Sequence, residues 1–160
     1  MSKSSIKERR VISVVVMNES SVLARVTSLF AARGYNITSL TVAPIPDSEM
    51  SHITIETQGG VKVMEQITKQ LHKLIPVYKV IEHEEMVEKE MVLIKFPIAE
   101  NLSDISALCG AYNGGIVNVG REVVIAQVAD EPSRIKHFLE AAQRYTPCEI
   151  VRSGVVAIER

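Results

Sequence analysis

Tryptophan is absent from this chain, and aromatic residues of any kind make up only 4% of it. A core must then be assembled from Val, Ile, Leu and Ala, and the wealth of β-branched residues favours sheet over an all-helical bundle. The same scarcity removes the aromatic platform on which RNA-binding sheets stack bases. Cysteine is nearly missing: Cys109 and Cys148 lie far apart, without CxxC spacing. That pattern is neither a disulfide framework nor a zinc ribbon, and two reduced, buried thiols in a cytoplasmic protein are expected. Neither sign of charge dominates. With 18 Lys and Arg against 19 Asp and Glu, the formal net charge is −1, which exerts no long-range pull towards nucleic acid or an anionic membrane. Long apolar runs are also lacking. They reach about four or five residues, as in Val14–Met17, far short of a bilayer span. The polar start MSKSSIKERR leads into nothing of the kind a signal peptide needs.

Chemistry-bearing constellations are missing as well. His52, His72, His83 and His137 have no partner at zinc-ligand spacing. There is no phosphate loop, GxGxxG or GxSxG motif, and the glycines between Gly110 and Gly115 lack the strand-before, helix-after context of a phosphate cradle. The carboxylates of Glu82–Glu90 read as a solvated joint rather than an acid/base pair. No helix-turn-helix is evident. The expectation is therefore no catalytic residue and no metal ligand in this chain.

What the sequence does hold is a regular alternation of strand and helix signals, with 46% apolar and 23% charged residues. Residues 1–8 read as a flexible arm. Residues 10–17 (RVISVVVM) form a strand interior to a sheet. A polar turn follows, then Val22, Leu23, Val26, Leu29 and Phe30 make one apolar helical stripe, with Ser20 or Ser21 as candidate cap and Gly34 as the left-handed stop. Residues 35–45 and 51–58 read as a strand pair, the second (SHITIETQ) alternating so that His52, Thr54 and Glu56 face outward. A second helix carries Ile67, Leu71 and Leu74 and is stopped by Pro76, and residues 77–83 give a fourth strand.

The order then starts again. After the charged joint come a strand at 91–96, a helix at 103–112 with Ser103 as candidate cap, strands at 116–119 and 123–128, a helix opening at Pro132, and a strand at 150–158 with Gly154 suited to a bulge. Residues 53–74 and 125–145 share one polarity pattern. The expected fold class is α+β: two ferredoxin-like βαββαβ sandwiches, residues 9–84 and 85–160, each a four-stranded sheet with helices on one face. Halves this small, with open edges, call for a partner, and a dimer is expected.

The chain is organised around NESSVLARVTSLFAARGYNITSLTV (residues 18–42), where a polar loop presents backbone N–H groups at a helix start, a natural seat for a small anion such as an amino-acid carboxylate. This run, with HITIETQG, QITKQLHKL and the terminal RSGVV, resembles the small regulatory subunit family of acetolactate synthase (acetohydroxyacid synthase) over roughly residues 9–160. The resemblance implies an N-terminal ACT domain, a homodimer, and no catalysis by this chain. Thiamine diphosphate, Mg and FAD would lie on a large catalytic partner subunit that makes acetohydroxy acids for branched-chain amino acid biosynthesis. The small subunit would activate that partner and make it sensitive to valine or a related effector. By motif position, the effector site falls on Asn18, Ser20, Ser21, Val22 and Leu23 of one chain and on Asn36 and Ile37 of its mate. Ser21 stands where the family usually has glycine. Asn18 as a plain turn residue, and Asn36 as a side chain bonding the backbone after Gly34, remain alternatives. So does a free-standing ACT-domain amino-acid sensor acting on another enzyme or a transcription regulator. Exposed helix residues including Arg25, Thr27 and Arg33 are candidates for the docking face.

Overall fold

The computed structural model describes residues 8–82 and 85–160. The chain divides into two units between Val87 and Glu88, with Ala157–Arg160 counted to the first. The expected arm at 1–8, the charged pair His83–Glu84 and the expected boundary after Glu84 fall almost wholly outside the described residues.

The first unit runs β1 (Arg9–Met17), α1 (Val22–Ala32), β2 (Ile37–Pro44), β3 (Met50–Gln58), α2 (Val61–His72) and β4 (Val77–Ile81). Its sheet has the order β2-β3-β1-β4, with every recorded pairing antiparallel. Strand periodicity sets the layers. Ile12, Val14 and Val16 of β1 and Ile53 and Ile55 of β3 pack with Val22, Val26 and Phe30 of α1 and Met64, Ile67 and Leu71 of α2 into one core. Gly34 takes φ +70 after α1, where a Cβ would be strained, and so closes the helix as its place in the sequence predicted.

The second unit runs β5 (Met86–Pro97), α3 (Leu102–Ala111), β6 (Gly114–Val119), β7 (Val123–Asp130), α4 (Pro132–Ala142), a short 3₁₀ turn and β8 (Glu149–Glu159), with sheet order β6-β7-β5-β8. Both units are thus four-stranded sheets with two helices, the βαββαβ arrangement expected. The core of the second packs Val92, Ile94 and Phe96 against Ile105, Cys109, Ile135 and Phe138. Pro132 sits in the first turn of α4, where a missing N–H costs nothing.

Several local expectations are corrected. Ser21 occupies the N-cap position of α1, but neither it nor Ser20 caps: Ser21 has φ −102 and ψ −4, a helical rather than extended backbone, and no side-chain cap bond forms. An extended N-cap is what aims the side-chain oxygen at the first free N–H groups. In α3 the cap is Asn101, not Ser103: its Oδ1 accepts from the N–H of Ser103 at 3.0 Å and of Asp104 at 3.3 Å. The outer face of β3 is far from solvated, since Thr54 is only 4% exposed, and burial lowers the pKa of half-buried His52. Cys109 is buried but Cys148 is exposed, and both are free thiols.

The largest correction concerns the charged joint. Residues 86–90 belong to β5, and Glu90 is the next member of the buried row Val92, Ile94, Phe96, only 3% exposed. It is held there by Arg152 of β8, whose Nε donates to Oε1 and whose Nη2 donates to Oε2 at 3.1 Å. A run of charges looks solvated until a guanidinium from 62 residues away supplies a fork for one of them.

Candidate functional site

The loop between β1 and α1 is tied down by backbone. The Asn18 N–H donates to the Glu49 carbonyl at 2.9 Å, the Glu19 N–H to Met17 at 2.9 Å, and the Val22 N–H to Glu19 at 3.3 Å. Among the described residues, no partner is found for the N–H groups of Ser20, Ser21, Leu23 or Ala24. These are the orphan donors that a helix start leaves facing outward. With no serine hydroxyl spent on them, the helix start is left open to an external acceptor.

The side chains there divide sharply. Asn18, Ser20 and Ser21 are exposed. Val22 is turned into the core with 2% exposure, whereas Leu23 is 36% exposed. The apolar side chain that the helix start offers to the outside is therefore Leu23, while Val22 gives its side chain to the core and its N–H to Glu19 and offers neither. Ser21 needs no glycine conformation, because its φ of −102 is ordinary for any L-residue.

Asn36 and Ile37 follow the Gly34 stop. Ile37 packs partly against the core, while Asn36 is exposed. The Asn36 side chain does not bond the backbone after the helix, and no partner for it is found among the described residues. Its carbonyl instead accepts from Thr57 Oγ1 at 2.6 Å. Thr57 carries no motif that marks it in the sequence, although the β3 alternation that buries Ile53 and Ile55 places Thr57 on the same side. A hydroxyl at the end of an apolar row is itself a sign that it has a partner to satisfy. Tyr35 Oη, bonded to Gln66 Oε1 at 3.1 Å, secures the same segment to α2.

The register fixes where these two groups lie. Met17 pairs with Met50 and Pro44 with Ser51, so the β1–α1 loop emerges at one end of the sheet. Ile37 pairs with Thr57 and Arg9 with Gln58, so Asn36 enters at the other end. The length of β2 separates them by roughly 25 Å at 3.3 Å per residue. Within one protomer, Asn18–Leu23 and Asn36–Ile37 are not brought together. β2 is, however, an edge strand.

An ACT domain model of the acetolactate synthase small-subunit type matches residues 12–79, and a model of the small subunit of acetolactate synthase matches residues 89–160. The acetolactate synthase small subunit of Haemophilus influenzae is 40% identical over 156 residues, covering 95% of this chain and 96% of that one. The chain belongs to the acetolactate synthase small-subunit family. The small subunit of Escherichia coli isozyme 3 is likewise 40% identical, with the same coverage. The crystal structure of the Thermotoga maritima small subunit superposes with a TM-score of 0.87 at 35% identity, covering 96% of this chain and 98% of that one. As a small subunit the chain is a regulatory, non-catalytic component that associates with a large catalytic subunit. Among the described residues, no group of three or more His, Cys, Asp or Glu could hold a metal ion, and no helix is long and apolar enough to cross a membrane.

Proposed function

We propose that this small subunit forms a homodimer through its ACT domain and binds a branched-chain amino acid, valine foremost, at two equivalent sites between the protomers. What supports this reading is the split geometry. The free N–H groups at the start of α1 and the unengaged side chain of Asn36 lie at opposite ends of one edge-bearing sheet. A two-fold axis pairing β2 antiparallel with the β2 of a second copy sets the Ile37 end of one strand beside the Pro44 end of the other, joining the two halves of the site twice over.

In this reading the N–H groups of Ser20, Ser21, Leu23 and Ala24 receive the effector's carboxylate, which the helix dipole favours by roughly 0.3–1 kcal/mol. The Asn36 amide of the mate, able to donate and accept, meets the effector's polar end. Leu23 and the exposed part of Ile37 meet its branched side chain. Thiamine diphosphate, Mg and FAD belong to the large subunit, which condenses pyruvate and which this chain activates. Inhibition follows because the effector binds one arrangement of the dimer better while the large subunit prefers the other, and the coupling runs both ways.

Titration calorimetry of the purified dimer with valine, leucine and isoleucine, beside an acetolactate assay with the large subunit, tests the proposal. The expected result is saturable heat with at least one of them, and an Asn36→Ala chain that still activates but no longer responds. No heat at millimolar ligand, or equal loss of activation and response in Asn36→Ala, overturns it.

A further inference from the structure

We propose that Thr57 is a positioning residue for the effector response: its buried hydroxyl pins the backbone of Asn36 and thereby aims the Asn36 side chain outward across the β2 edge. The inference rests on the reading of Asn36 given above. Thr57 has no exposed surface, and its Oγ1 donates to the Asn36 carbonyl at 2.6 Å. It is also the Cα partner of Ile37, the first residue of β2.

The next registered pair is Ser39 with Glu56, so Thr38 is an inserted residue and β2 carries a bulge one step after the pinned carbonyl. Bulges re-aim the side chains beside them. Here the insertion lets Ile37 and Leu40, three residues apart, both pack against the core. On the other side the chain is fixed to the end of α1, with the Gly34 N–H donating to Ala31 at 3.1 Å and the Tyr35 N–H to Phe30 at 3.0 Å. Asn36 is held from both directions within two residues. Its own N–H and its side chain have no partner among the described residues, so the segment is built to fix the backbone of a residue whose side chain it leaves unused.

A threonine that merely satisfied itself in the core would affect stability alone. The discriminating variants are Thr57→Val, which keeps the shape and removes the donor, and Thr57→Ser, which keeps the donor. Each is assayed as the intact small subunit, for valine affinity by calorimetry, for valine inhibition with the large subunit, and for valine-free activation and thermal stability. Thr57→Val is expected to activate like the parent chain but to bind valine about tenfold more weakly, the worth of one well-placed hydrogen bond. Thr57→Ser is expected to bind as the parent does. Should Thr57→Val not fold, Thr57→Ala makes the same comparison. A parent chain that responds to valine while Thr57→Val responds equally overturns this inference alone, as does an equal loss in Thr57→Ser. A parent chain with no response to any branched-chain amino acid overturns the effector reading, and this inference with it.

Discussion

Glu90 and Asp130 are directly opposed across the β5–β7 ladder, both within 3% of complete burial, and each is held by an arginine of its own. Arg152 forks onto Glu90. Arg134 binds Asp130 through Nε at 2.6 Å, donates through Nη2 to the Ala111 carbonyl at the end of α3 at 2.7 Å, and lies 5.0 Å above the Tyr112 ring. Asn113, at φ +59, adds its Nδ2 to Asp130 at 3.1 Å. Two opposed carboxylates would repel, so the arginines are what allow the row to end in charge.

Removing one arginine should therefore cost more than its exposure suggests. Arg152→Ala strands Glu90 in the interior, and a loss of roughly 2–3 kcal/mol is expected, below the full value for a buried pair because the guanidinium is half in solvent. Glu90→Gln combined with Arg152→Met should recover most of it. Urea denaturation of the two variants checks this, and a double variant as unstable as the single one would contradict it.

Acid stability should have a limb that belongs to Asp130. Burial alone raises this carboxyl, but the Arg134 hydrogen bond, the Glu131 N–H and the charges of Arg134 and Lys89 outweigh it, and the net shift is downward from 3.8. The folded protein then holds the proton less readily than the unfolded chain. The stabilisation is complete above about pH 4 and is lost as pH falls towards the depressed folded value. Asp130→Asn should lower stability at pH 7 and flatten the curve below pH 4.

His52 should supply a separate, milder limb. Burial lowers its pKa from 6.5, so the unfolded chain takes up a proton first as pH falls. Stability attributable to the neutral ring is present above about pH 6.5 and declines below it until the folded ring also protonates. His52→Gln should flatten thermal stability just below about pH 6.5 while leaving the Asp130 limb in place.

Ser21→Gly probes the glycine that the resemblance implies at this position. The serine makes no cap bond and adopts an ordinary φ, so the change should cost only about a few tenths of a kcal/mol. In the effector reading proposed above, a site without this Cβ leaves more room beside the Leu23 and Ala24 N–H groups, and valine should bind several-fold more tightly, within the range of about one kcal/mol. Calorimetry on the two chains decides it.

Val42→Lys tests the edge. Val42 is 43% exposed on β2, and a lysine there is the device that keeps edge strands from pairing. In the dimeric reading proposed above, sedimentation should show a shift from dimer to monomer, together with loss of the valine response.

The architecture was legible because its signals are local and periodic: the Val22, Val26, Phe30 stripe, the Ile53 and Ile55 alternation, and Gly34 and Pro132 at helix ends. Resemblance at residues 18–42 supplied the family. What escaped were contacts between distant residues. Nothing near Glu90 in the sequence announces Arg152, and nothing near Asn36 announces Thr57. Caps are hidden for a related reason: serine is a generic N-cap, and only backbone angles decide whether Ser21 caps, or whether Asn101 does so in place of Ser103.

The separation of Asn36 from Leu23 by the length of β2 has a genetic consequence in the dimeric reading. Each pocket would draw its helix start from one chain and its asparagine from the other. A protomer carrying Asn36→Ala mixed with one carrying Leu23→Asp would then yield a hybrid in which one pocket holds both lesions and the other holds neither. Two chains that are each deaf to valine would, when co-expressed, complement one another, with one intact pocket in every hybrid and, on random pairing, about a quarter of all sites restored.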